Sequence, residues 1–394
     1  MKSSNLHSGR SYEGNLSGFR SAAVVHVAPI ENDILAESET HQEIPMPNLR
    51  SLRLPNSASL AAAFFCILLT SPAFLSAQKP YHVVDTWKLG GDGGWDYLLA
   101  DPPAHRLYLT RGARVDVVDT QSGKLAGSIA NLHGTHGIAL DSAGKFGYIS
   151  DGGGNAVVVF DRATLATVAT IPAGTNPDAI IFEPATQTVW AFNGRSKDAT
   201  VIDAATRKVV ATIPLPGKPE FAAVDGKGTI FDNIEDKNEL VRLDAHTNKL
   251  TAEWPLTGCE SPSGLAFDVT GGRLFSVCDG KKMAVTDART GKSLANPAIG
   301  EGPDAAGWDA AHKLAFASCG EGVLSIIDAG APSYPTIETL PTQRSARTMA
   351  YDAAADRIYL VAAELGPRPE PTADNPRPRP AVLPGSFVVL VVGR

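Results

Sequence analysis

After residue 90 the chain is a long succession of short apolar runs separated by polar, glycine-rich turns. Residues 137 to 172 show the unit most clearly. There "GIALD", "FGYIS", "AVVVFD" and "ATVATIP" read as four consecutive strands, a to d. Their Val, Ile, Phe and Ala leave little room for a solvent-facing side, which suits sheets covered on both faces.

The unit repeats. An apolar-apolar-Asp phrase with a polar turn behind it recurs as "VVDTQSGK", "VFDRATLA", "VIDAATRK", "RLDAHTNK" and "VTDARTGK", with a degraded copy "IIDAGAPS". Its aspartates, Asp119, Asp161, Asp203, Asp244, Asp287 and Asp328, stand 42, 42, 41, 43 and 41 residues apart. A second register, in which strand a ends in an acid, gives Asp101, Asp141, Glu183, Asp225, Asp268, Asp309 and Asp352. Two registers with one period near 42, built of short strands, mark the blades of a propeller. The aspartate after strand c is read as an Asx turn into strand d, a structural role and not a site.

Seven acid-terminated a-strands predict an all-β, seven-bladed β-propeller with four-stranded blades. The last unit holds "RTMAYD", "RIYLVAA" and, after an insertion, "SFVVLVVGR", but no strand d. "YHVVDTWKLGG" near residue 81 resembles the d-type "KVVATIPLPG" and precedes the first strand a. The N-terminal strand is therefore expected to close the last blade, which leaves no unpaired edge. "GWDYLLAD" and "GWDAAHK" contain Trp-Asp dipeptides, but in or beside strand a and in two units only, so they are not WD40 repeats.

Units such as "VIDAATRKVVATIPLPGKPE" resemble the YVTN-repeat (YncE-like) seven-bladed propellers of exported bacterial proteins, over residues 80 to 394. The phrases "PDAIIFEP", "FNGRSKDATVID", "GKPEFAAVDGKG" and "CESPSGLAFD" look like one subgroup. The resemblance implies the fold. It brings no shared reaction and no residue roles.

The segments before the repeats change the picture of where the protein works. Residues 1 to 45 are polar and aperiodic and read as a gene-call extension or disordered stretch; Met46 is the expected start. Residues 46 to 77 have a positive n-region (Arg50, Arg53), an apolar core from 60 to 69 and small residues at Ser71, Ala73, Ser76 and Ala77. That is a signal peptide, so a periplasmic or secreted protein with no transmembrane segment after cleavage is expected. The propeller then occupies 78 to 394. Export permits a disulfide. If strands a and b of blade five pair across "VTGG", Cys278 lies opposite Ser263, near the loop of Cys259, which predicts a Cys259–Cys278 bridge. Cys319 lies 41 residues after Cys278, at the same position one blade on, too far to compete.

The net charge of −7 speaks against a nucleic-acid partner. Candidate chemistry comes instead from "NLHGTHGIALD". His136 stands five residues before the acid that ends strand a. The same offset in the other units selects Asp96, Asp178, Glu220, Ser263, Asp304 and Arg347. Seven equivalent positions at the start of strand a form one ring at the channel mouth, four carboxylates against one arginine with His136 neutral. Hard oxygen ligands with one imidazole fit a divalent cation or a cationic ligand. The competing reading is a wet, solvated channel mouth. His133 falls on the rim.

Weaker candidates share that face. "SDGGGNA" (150 to 156) is read as a flexible turn, since no helix follows to make a phosphate loop. "FNGRSKD" places Asn193, Arg195 and Lys197 where they could meet an anion, and "DNIEDKN" adds Asn233, Glu235 and Asp236 on the same face, but a solvated loop is the favoured reading of both. The insertion 364 to 385, proline-dense with Arg368, Arg377 and Arg379, is a semi-rigid arm over the mouth or a plain surface loop. No haem-attachment motif and no nucleophile elbow occur. The pattern favours an exported, monomeric binding or scaffold protein that takes a small ligand, cation or protein partner at the mouth. The alternative is a metal-assisted lyase or hydrolase with His136 as acid/base and ring carboxylates around a divalent cation. A quinoprotein lacks its tryptophan docking pattern here.

Overall fold

The computed structural model describes residues 79–394 apart from 373–377 and 379. The expected extension and signal peptide, and Arg377 and Arg379 of the arm, lie outside the described residues. Twenty-eight strands form seven antiparallel sheets of four, one sheet per predicted blade. Blades one to six run a-b-c-d in chain order, from Leu98–Asp101 as strand a of blade one to Thr336–Pro341 as strand d of blade six. Blade seven takes Thr348–Asp352, Arg357–Ala362 and Val388–Gly393 from the C-terminal end and His82–Lys88 from the N-terminal end. No helix among the described residues is long and apolar enough to cross a membrane.

The ring closes as the missing strand d predicts. His82–Lys88 pairs antiparallel with Val388–Gly393, from His82 opposite Gly393 to Lys88 opposite Val388, with one bulge between Val83 and Asp85. Trp87 lies 5.4 Å from the Tyr359 ring, which fixes the closing strand to its own blade.

The core sits between the blades. Blades three and four share Trp190, Phe192 and Val201 with Ile230, Ile234 and Val241. Blades six and seven share Phe316, Leu324 and Ile326 with Ile358, Leu360 and Val392. Across the closure, Leu107, Leu109 and Val118 of blade one meet Tyr359, Val361 and Val389 of blade seven. Each such side chain contributes roughly 1.5–3 kcal/mol when fully buried, so the interfaces between sheets hold the ring together.

The repeated aspartates act as turn caps. Asp161 accepts from the backbone of Ala163 and Thr164, Asp203 from Thr206, Asp287 from Arg289 and Thr290, and Asp328 from Gly330 and Ala331. These bonds to the ionised form hold Asp161, Asp203 and Asp287 below the usual carboxylate range, with burial of the latter two opposing.

Cys259 and Cys278 are joined by a disulfide with a Cα–Cα distance of 5.3 Å, and Cys319 is buried and free. The partner expected opposite Cys278 needs correcting: it is Pro262, not Ser263, because bulges on both sides of Pro262 shift the register by one.

Deleting residues 80 to 90 exposes the edge of Val388–Gly393, and that truncation should lose cooperative unfolding and aggregate on heating. An unchanged unfolding curve contradicts the closure. Replacing Cys259 and Cys278 together by serine should cost about 3 kcal/mol in chemical denaturation under oxidising conditions, and peptide mapping of the wild type should find Cys319 as the free thiol.

Candidate functional site: a charged cup at the channel mouth

Strand a pairs with strand b in every blade, and a register shift falls at the ring position in five of them. The shifts lie between Thr135 and Ile138, Pro177 and Ile180, Pro219 and Ala222, Pro262 and Leu265, and Pro303 and Ala305. They bracket His136, Asp178, Glu220, Ser263 and Asp304. A bulge leaves its extra residue out of the ladder and re-aims its side chain, here next to the axis. Proline, which has no N–H to donate, precedes four of these residues: Pro177, Pro219, Pro262 and Pro303. Asp96 and Arg347 instead lie just before their strands, which begin at Leu98 and Thr348.

The ring residues meet across blade boundaries. His136 Nδ1 is 2.6 Å from Asp96 Oδ2 and 3.5 Å from Asp178 Oδ1, so one imidazole links blades one, two and three. Arg347 Nη1 lies 2.8 Å from Asp304 Oδ2, and its Nη2 lies 3.9 Å from Asp96 Oδ1. Ser263 donates its hydroxyl to the Pro303 carbonyl at 3.1 Å, an inter-blade tie. Glu220 pairs with Lys218 at 2.7 Å, and Lys218 also holds Glu235. Lys218 lies two residues outside the counted offset, so the count of ring positions leaves out a cation that sits between two carboxylates.

Local sequence explains the fit. Gly152 leaves room for the His136 ring: a Cβ there would come within 2.7 Å of Cδ2 and Nε2. At Gly153 a Cβ would lie 1.8 Å from the His133 carbonyl oxygen. The glycines of "SDGGGNA" thus serve close packing of two loops and not flexibility. His133 sits on the rim with its side chain 72% exposed and Nδ1 3.2 Å from Asp151.

The cup has an aromatic floor. Tyr97 and Phe221, each one residue beyond its ring position, come from blades one and four, and their centroids are 5.0 Å apart. A contact between blades that are not neighbours crosses the axis. Gly137, Ala179, Gly264, Ala305 and Thr348 hold the same place in the other blades and leave space for the two rings.

Below the ring lies a residue that sequence reasoning missed. Asp232 is fully buried, and neither carboxylate oxygen has a hydrogen-bond partner. The equivalent positions of the other b-strands hold Leu109, Ile149, Ala191, Ser276, Ala317 and Leu360. A carboxyl where the repeat places apolar or small residues was the available signal.

The cup holds protons. Burial, with help from the Glu220 and Asp96 charges and against His136, raises Asp178 to about 7. Burial and Glu235, against Lys218, do the same for Glu220. Burial, with Glu220 and Asp178 nearby, pushes Asp232 well above the carboxylate range. His136 is held above its ordinary value: burial opposes its charge, but the Asp96 hydrogen bond and the charges of Asp178, Asp96 and Glu220 outweigh it.

The other candidates resolve differently. Asn193 is buried and donates to Asp198 and Thr200, Lys197 pairs with Asp236 at 2.7 Å, and Asn233 donates to the Ser263 carbonyl. Asn193 and Asn233 are structural, so neither loop gathers an anion site. A second acid-histidine group, Asp309, His312 and Asp356, is already engaged by Arg394, 3.0 Å from Asp356 and 3.5 Å from Asp309.

No family model and no curated protein matches this chain. Among solved structures it is similar to a chain of Kuenenia stuttgartiensis hydrazine synthase, with a TM-score of 0.62 and 15% identity, covering 68% of this chain and 92% of that one. The likeness is one of fold. YVTN-repeat membership is accordingly not shown, and the function has to be read from the cup.

All the raised groups bind protons more tightly in the folded chain than in the unfolded one. Their contribution to stability is therefore lost as pH rises, from about 4 to about 7 for Asp178 and Glu220. The His136 contribution is complete below about 6.5 and is lost above it. The protein should be more stable at pH 5.5 than at pH 7.5, by on the order of 2–4 kcal/mol. Asp178→Asn with Glu220→Gln should flatten that slope, and Asp232→Leu should add about 1–3 kcal/mol at pH 7.5. Urea unfolding at the two pH values checks both, and a pH-independent wild type contradicts the assignment.

Proposed function

We propose that this protein is an exported, monomeric binding protein that captures a divalent cation, or a ligand carrying one, in the propeller mouth. The observation that carries the reading is His136 set between Asp96 and Asp178, with candidate ligand atoms of all three within 4.8 Å of one another. Two carboxylates and one imidazole suit Mn2+ or Zn2+, whereas Ca2+ prefers an all-oxygen shell. Cation binding would displace the proton shared between His136 and Asp96 and remove the cost of ionising Asp178 beside Asp96 and Glu220. The bulged backbone holds His136 and Asp178 in place before a cation arrives, and Asp96 is held by its bond to His136. The signal-like segment at 46 to 77 supports export, because a chain folded outside the cytoplasm meets metal ions without competition from cytosolic thiols.

Thermal unfolding of metal-free protein with Mn2+ or Zn2+ tests the reading. Wild type should gain about 2.7 kcal/mol when free cation is about 100 times Kd, and Asp96→Asn with Asp178→Asn should gain nothing. Equal gains in both proteins, or none in either, would end it.

A further inference from the structure

A second cavity adjoins the cup, and its character is opposite. It lies between the start of strand a in blade one, the loop before strand a in blade seven and the base of the proline-rich arm, with a volume of about 860 Å³. Trp95, Arg344, Arg347, Arg368, Leu365 and Leu383 line it. Three arginines there face one carboxylate, Glu364, in a protein of net charge −7. Arg347 is engaged by Asp304, but Arg344 and Arg368 make no ion pair among the described residues.

The walls are built, not incidental. The arm begins as a short hairpin stem: Leu365 bridges Val382, Gly366 donates to the Ala381 carbonyl at 2.8 Å, and Leu383 donates to that of Glu364 at 2.9 Å. The stem is tied to blade one, where Gly385 donates to the Gly91 carbonyl and Arg111 lies 3.6 Å over the Phe387 ring. Trp95 packs on the same Phe387 with centroids 5.6 Å apart. Its indole N–H is shielded from solvent and has no acceptor among the described residues. Leu365 and Leu383 belong to the small set of large apolar side chains left exposed, at 38% and 41%, and both face this one cavity.

Guanidinium groups without an ion pair ask for an anion. Apolar walls and a tryptophan ask for a flat hydrocarbon body, on which guanidinium planes also stack. The volume is that of a small-molecule site. We infer that this cavity binds a planar aromatic carboxylate, with its carboxylate on Arg344 and Arg368 and its ring between Trp95 and the two leucines. The site stands apart from the cation reading: Arg347 borders both, but neither Arg344 nor Arg368 belongs to the cup.

The probes are 4-hydroxybenzoate and cinnamate, with hexanoate and inorganic phosphate as comparisons. Binding is followed by calorimetry and by tryptophan fluorescence of the full exported chain. The aromatic acids should bind, with a fluorescence change that Trp95→Phe abolishes. Arg344→Gln with Arg368→Gln should weaken them by about tenfold or more, with an unchanged unfolding midpoint because both side chains are exposed. Asp96→Asn with Asp178→Asn should leave them bound, which separates this site from the cation site. No binding of either aromatic acid at millimolar concentration overturns the inference, as does equal binding by the double arginine variant. Hexanoate or phosphate binding as tightly as the aromatic acids overturns the assigned ligand class.

Discussion

Everything in this molecule depends on the ladder that joins its first described strand to its last. With His82–Lys88 paired to Val388–Gly393, the last sheet gains its fourth strand and seven four-stranded sheets close into a ring. Only in a closed ring do the starts of seven a-strands face one axis. Only then do Asp96 of blade one and Arg347 of blade seven, 251 positions apart in the sequence, come to share a carboxylate-guanidinium contact. The cup is a consequence of closure.

Closure also brings like charges together, and the structure answers in three ways. Basic groups are interleaved, as His136, Lys218 and Arg347. Burial opposes the ionisation of Asp178, Glu220 and Asp232 and holds all three above the usual carboxylate range. The floor is aromatic, with Tyr97 against Phe221 across the axis. The last two make the site a local deficit in stability that the interfaces between blades offset. Asp232 shows it best, since other blades put Leu, Ile, Ala or Ser at its position.

Much of this was legible in the sequence. The period near 42 gave blade number, strand order and closure, because a propeller repeats its hydrophobic pattern once per sheet. One fixed offset from the acid ending strand a found all seven ring positions, including His136. What it could not supply was local backbone irregularity and lateral distance. The bulges that aim the ring residues have no residue signature beyond the prolines, and they displaced the expected partner of Cys278 by one. Lys218 enters from outside the offset, and Asn193, weighed between a solvated loop and an anion contact, is neither and turns inward to Asp198 and Thr200. The arm joined non-repeating residues into a cavity, which no periodic argument reaches.

The central claim is that a cation sits on His136 together with carboxylates from two other blades. Pulsed electron paramagnetic resonance of bound Mn2+ tests it at the atom concerned. The account predicts modulation from one directly bound imidazole nitrogen in the wild type, lost in His136→Gln while the protein stays folded. Bound Mn2+ with no imidazole nitrogen, or with modulation that survives in His136→Gln, would contradict it.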